Sequence, residues 1–208
     1  MNIQLALDRF SIEDAKAIAK EVEDHVDWIE VGTSLIKEFG MLSVKELKMT
    51  FPDKTILADM KTMDNAKYEA ALCFEAGADV MTVMGAASEA TITTCIQTAR
   101  QYGKEVMIDL LNLTDTQKEQ LKSYNDVIFC EHVSKDDQET SGSKNETTSS
   151  LFQDKRLAMA GGITEASLVR LRELKPEVVI IGSAITKADN RNQAAERLKQ
   201  LSKYEEAN

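Results

Sequence analysis

Eight short runs rich in β-branched residues recur along the chain, each followed by a longer stretch of helical spacing, and this rhythm restricts the possible folds more than any other feature. The runs are Ile3–Asp8, Asp27–Gly32, Thr55–Met60, Asp79–Met84, Glu105–Leu110, Asp126–His132, Arg156–Gly161 and Glu177–Gly182. Between them, Ile12, Ala15, Ala19 and Val22 share one helix face, and Val44, Leu47 and Phe51 share another. Ser11-x-x-Asp14 and Thr114-x-x-Gln117 have the pattern of helix N-caps. Such alternation predicts parallel strands joined by right-handed crossovers. Shared among eight units, the 208 residues leave 26 apiece, room for a short strand, a helix and tight connections. The expected fold is therefore α/β, a single (β/α)₈ TIM barrel spanning residues 1–208 as one domain. An open doubly wound sheet is the other arrangement that the alternation allows.

Composition narrows the class of partner. Hydrophobic residues make up 43% of the chain and charged ones 29%, as in a globular protein. No apolar run approaches the roughly 18–20 residues of a spanning helix, so no membrane role is expected. The opening MNIQLALD lacks the regions of a secretory signal, which gives a cytoplasmic expectation. A formal charge of −10 repels polyanions and argues against nucleic acid as a partner. Cys73, Cys95 and Cys130 are odd in number and sit in apolar or helical patterns, which predicts packed, reduced thiols. The polar run Ser134–Ser150 breaks the rhythm after strand six; it is expected to be a loop, either a lid over substrate or a tolerated surface insertion.

In a barrel of this kind the chemistry gathers at the C-terminal ends of the strands. Strand one ends in Asp8, strand two carries Glu30, strand three carries Asp59 with Lys61 just beyond, and strand six ends in His132. Glu30 and Asp59, on neighbouring strands, can offer hard oxygen ligands to Mg²⁺ and leave its other positions to water and substrate. Lys61 can add a fixed positive charge at the same mouth. His132 is the candidate proton carrier near neutral pH, whereas His25 is expected at the surface. Gly161-Gly162 and Gly182-Ser183 put glycine where strands seven and eight turn into helix, a pattern that exposes backbone N–H groups to phosphate.

These residues fall in longer motifs. Leu57-Ala-Asp-Met-Lys-Thr-Met-Asp64 contains D-x-K-x-x-D at Asp59, Lys61 and Asp64. Gln4–Asp8, Glu30-Val-Gly-Thr33, Glu75–Asp79 and the AGGI and IGSAI runs accompany it in order. On these motifs, over nearly its whole length, the chain resembles the orotidine 5′-phosphate decarboxylase suprafamily. Within it the resemblance is to the branch of 3-hexulose-6-phosphate synthases and 3-keto-L-gulonate-6-phosphate decarboxylases. It implies a barrel of the ribulose-phosphate-binding type and a Mg²⁺-dependent lyase acting through an enediolate. Glu30 and Asp59 would be metal ligands, Lys61 would stand beside the anion, and Asp8 would orient Lys61 or a substrate hydroxyl. Asp64 would reach across the interface of a homodimer into the partner's site. The run DMKTMD and the Gly182-Ser183-Ala184 turn resemble the synthases, which take formaldehyde and a sugar phosphate. A barrel that binds a sugar phosphate without turnover is the alternative of another class.

Overall fold

The computed structural model describes residues 1–133 and 150–203. The polar run expected to form a loop or lid lies, apart from Ser150, outside these residues. Among them, eight parallel strands close into a barrel in sequence order: β1 (Asn2–Leu7), β2 (Trp28–Val31), β3 (Thr55–Thr62), β4 (Val80–Met84), β5 (Glu105–Asp109), β6 (Ile128–His132), β7 (Arg156–Ala160) and β8 (Val178–Ile181). Closure comes from β1 pairing with β8 as well as β2, which rules out the open sheet.

Alternation along each strand sorts the side chains. Ile3, Leu5 and Leu7 of β1, Ile29 and Val31 of β2, and Phe129 of β6 point outward into the main core, where they meet the helices. Helix Ile12–Val22 lays Ile12, Ala15, Ile18, Ala19 and Val22 on that core, as its period predicts, with Ser11 accepting from the Asp14 N–H at its start. Val44, Leu47 and Phe51 are likewise buried, and Thr114 and Gln117 form a reciprocal capping box. The Cys73, Cys95 and Cys130 thiols are free and buried. Among the described residues no helix is long and apolar enough to cross a membrane.

Four strands start later than their sequence runs, each of which opens on an acidic residue. Asp27, Asp79, Asp126 and Glu177 precede their strands and anchor cations: Asp27 holds Lys199, Asp79 holds Lys48 and Lys104, Asp126 meets Arg100, and Glu177 meets Arg156. Asp79 Oδ2 also accepts from the Ile56 N–H at 2.9 Å. The N-terminal end of the barrel is thus tied by ion pairs. At the other end β3 runs on to Thr62, through an irregularity in its pairing with β4 that carries Lys61 in the left-handed region at φ 49°.

Candidate active site

On β2 to β5 an apolar inward residue is followed, one inward step on, by a polar one. Trp28 gives way to Glu30, Leu57 to Asp59, Val80 to Thr82 and Met107 to Asp109. An apolar plug therefore closes the barrel below a polar mouth, where a cavity of about 550 Å³ opens. That volume suits a small-molecule site.

Asp109 organises one side of this mouth. Its Oδ2 accepts from Lys61 Nζ at 2.6 Å and faces His132 Nδ1 at 3.2 Å, while Oδ1 accepts from the Leu111 N–H. Burial alone would raise this carboxyl, but the His132 hydrogen bond and the Lys61 charge outweigh it and hold Asp109 down at about 2. Burial works against the Lys61 charge in turn, and Asp59 and Asp109 overcome it, so Lys61 stays an ammonium well beyond the physiological range. The left-handed backbone at Lys61 is a strained conformation for a residue with a side chain. Its N–H is fastened to Thr82 Oγ1 at 2.8 Å, which helps hold it there.

The turn after β2 supplies the other side. Thr33 Oγ1 donates to Asp59 Oδ2 at 2.5 Å, and Thr82 Oγ1 donates to Asp59 Oδ1 at 2.8 Å. Ser34 Oγ donates to Asp8 Oδ1 at 2.8 Å. Gly32 makes this possible, because a Cβ there would collide with the Asp8 carboxylate and the Leu7 carbonyl. Asp8 is thus tied to Ser34, and Lys61 is held by Asp109 and Asp59 rather than by Asp8.

Glu30 is 7% exposed, and its Oε2 accepts from Gln4 Nε2 at 2.6 Å. Burial first, then the Asp59 and Asp8 charges, push its carboxyl well above the ordinary glutamate value. A carboxyl so placed either keeps a proton or needs a cation beside it. Among the described residues no group of three or more His, Cys, Asp or Glu side chains is placed to hold a metal ion by itself. Two carboxylates with room for water and substrate fit the habit of Mg²⁺, which is reluctant to lose its waters. Glu30 and Asp59 could hold such an ion.

Nine of the ten residues singled out in the sequence line this one cavity: Asp8, Glu30, Asp59, Lys61, His132, Gly161, Gly162, Gly182 and Ser183. Gly161 needs to be glycine, since φ is 96° and a Cβ there would lie only 2.6 Å from the Val133 carbonyl oxygen. Asp64 does not join them. It is exposed on the bend after β3 and is not among the residues lining the cavity. His25 is half-buried in the turn Glu23–His25, away from the cavity lining. Asp109 is an addition to the residues expected from the sequence, although it ends β5 as Asp8 follows β1 and the same strand-end rule points to it. Gln4, Thr33, Thr82, Arg9 and Lys37 also line the cavity without having been singled out.

Comparison with known proteins agrees with this architecture. The profile of the orotidine 5′-phosphate decarboxylase / HUMPS family matches residues 1–198. This chain belongs to that family. One relative of this orotidine 5′-phosphate decarboxylase / HUMPS family chain is the 3-hexulose-6-phosphate synthase of Bacillus subtilis, 36% identical over 206 residues, 97% of this chain and 98% of that one. The crystal structure of 3-hexulose-6-phosphate synthase from Salmonella typhimurium is 35% identical, covers 97% of this chain and 98% of its own, and superposes with a TM-score of 0.92. The 3-keto-L-gulonate-6-phosphate decarboxylase from Vibrio cholerae is 30% identical with a TM-score of 0.83, over 97% of this chain and 96% of that one. A chain of the orotidine 5′-phosphate decarboxylase / HUMPS family with relatives of these names is an enzyme.

Proposed function

We propose that this chain is a Mg²⁺-dependent 3-hexulose-6-phosphate synthase that joins formaldehyde to D-ribulose 5-phosphate through a 1,2-enediolate, giving D-arabino-3-hexulose 6-phosphate. The observation that carries the reading is the meeting of Lys61 and His132, from β3 and β6, on the single carboxylate of Asp109 beside the Glu30 and Asp59 pair. Relatives named as synthases, and the DMKTMD and Gly182-Ser183-Ala184 runs, favour formaldehyde as co-substrate.

His132, steadied by Asp109, removes the proton from C1 of the sugar phosphate. The Lys61 ammonium lies where negative charge develops and stabilises the enediolate more than the ketone, which is the differential binding that lowers a barrier. C1 of the enediolate then bonds to the formaldehyde carbon, and the former formaldehyde oxygen takes up a proton. Glu30 and Asp59 would hold Mg²⁺, whose chemistry when bound is Lewis-acid polarisation of a carbonyl oxygen. The turns at Gly161-Gly162 and Gly182-Ser183 take the phosphate, and Arg9 and Lys37 line the same cavity.

A homodimer belongs to this reading. Asp64, exposed on its bend, is available to a partner's site. Met63 at 52% and Tyr68 at 63% exposure flank it, and Met49, at 67%, stands on the adjoining helix Met41–Thr50. Those apolar side chains suit burial against a second copy.

The sister reaction, loss of CO₂ from 3-keto-L-gulonate 6-phosphate, would pass through the same enediolate, and the likeness to the Vibrio cholerae decarboxylase keeps it as the second reading. Formaldehyde consumption and CO₂ release, measured on one preparation with both sugar phosphates, separate the two. His132→Ala should abolish exchange of the C1 proton of ribulose 5-phosphate with deuterium oxide. Unchanged exchange in that variant would remove His132 as the base.

A further inference from the structure

Gln4 is the exception to the order of the barrel interior. On β2 to β5 an apolar residue stands one inward step below the polar one, yet on β1 the residue one inward step below Ala6 is an amide with no solvent exposure. Register explains its reach. Ala6, the next inward residue of β1, pairs with Glu30 across β2, and its single methyl leaves room for the longer Gln4 side chain to extend up to the Glu30 carboxylate. Gln4 Nε2 donates to Glu30 Oε2 at 2.6 Å. The amide is thereby oriented, because an acceptor oxygen turned toward a carboxylate would be repelled.

This orientation leaves Gln4 Oε1 buried and without a hydrogen-bond partner among the described residues. A buried, unpaired carbonyl is costly, and native structures hold few of them. An amide oxygen only accepts, so what meets it must be a donor. Gln4 stands one inward step deeper than Ala6, the register partner of Glu30, so the donor must reach below the level of Glu30, and a water molecule is small enough to do so. Waters bound to a divalent cation are strong donors, and Mg²⁺ keeps several.

We propose that Gln4 is a positioning residue for the cation site: its amide nitrogen fixes the Glu30 carboxylate, and its amide oxygen accepts a hydrogen bond from a water coordinated to the ion. The inference rests on the reading of Glu30 and Asp59 as Mg²⁺ ligands. It assigns β1 a part in metal binding through the outer coordination sphere, in which partners commonly change affinity 10- to 100-fold.

The test uses the full chain, freed of metal, titrated with Mn²⁺ and followed by the electron paramagnetic resonance of the free ion. Gln4→Met, close in shape but apolar, should weaken Mn²⁺ binding roughly tenfold or more. Its metal-free melting temperature should stay at or above that of the wild type, because an unpaired buried acceptor has gone. Gln4→Leu serves as the second variant should methionine pack poorly. A folded variant that binds Mn²⁺ within twofold of the wild type overturns the proposal, as does one that loses metal-free stability while keeping its affinity, since Gln4 would then be a packing residue. A wild-type chain that binds no Mn²⁺ overturns the metal reading itself and the inference with it.

Discussion

Replacing Asp109 with Asn tests the electrostatic centre of the site, because the change removes one charge and almost no volume. The folded chain holds this carboxyl at about 2 against an ordinary 3.8. At about 1.4 kcal/mol per pH unit, that gap makes the ionised Asp109 worth roughly 2.5 kcal/mol to the folded state. A depressed carboxyl contributes fully above its ordinary value and loses its contribution as pH falls through the folded one. Urea denaturation at pH 7 should therefore show Asp109→Asn less stable by about 2–3 kcal/mol, with the difference narrowing from about pH 4 toward pH 2. The same substitution leaves Lys61 with only the more distant Asp59, at 3.4 Å, and takes the carboxylate from His132. Exchange of the C1 proton should fall about a hundredfold or more. Equal stability of wild type and variant at pH 7, or a deficit that does not change with acid, would refute the account of how Asp109, Lys61 and His132 support one another.

Three further outcomes follow from the same geometry. Mixing inactive Asp64→Asn and Glu30→Gln chains should restore roughly a quarter of wild-type activity, since half of randomly assorted dimers are mixed and each contains one intact composite site; size-exclusion chromatography checks that the chains exchange. Asp79→Asn, at the opposite end of the barrel, should cost about 1–3 kcal/mol in urea denaturation without changing KM; burial opposes the Asp79 charge, but the Ile56 N–H, Lys104 and Lys48 lower its pKa, so the deficit should fade as pH drops through that lowered value. Mg²⁺ binding should release a proton in calorimetry run in buffers of different ionisation enthalpy, and affinity should rise with pH, because the raised Glu30 carboxyl must ionise to hold the ion.

The barrel was legible because its two signals are periodic. Strand runs recur eight times with helical spacing between most of them, and each strand boundary error stays within a residue or two. Asp27 and Asp79 show where the errors come from. Their acidic side chains look like strand starts in sequence, but each is held by cations from distant segments, Lys199 in one case and Lys48 with Lys104 in the other. The mouth was legible where one rule sufficed, an ionisable group at the end of an apolar strand. Thr33 and Thr82 escaped because a hydroxyl on a strand or turn carries no signal until the carboxylate it serves is placed beside it. Gln4 escaped for a related reason: its part depends on Ala6 and Glu30 being neighbours across two strands.

The charge of the mouth also explains how a chain with a net charge of −10 can take an anionic substrate. Asp8, Glu30, Asp59 and Asp109 bring four carboxyls into the cavity, and Lys61 pairs with two of them, Asp59 and Asp109. Without further positive charge such a group holds a proton, which is what the raised Glu30 carboxyl expresses. A bound divalent cation supplies two positive charges where the imbalance is greatest, so the cluster nears neutrality only when the proposed Mg²⁺ is in place. Arg9 and Lys37 contribute positive charge to the cavity wall outside that cluster. In the proposed reading, phosphate at the glycine turns would meet this local charge rather than the acidic surface, since at physiological salt a charge acts over about 8 Å. Local arrangement, and not the sign of the whole chain, decides which ligands the site accepts.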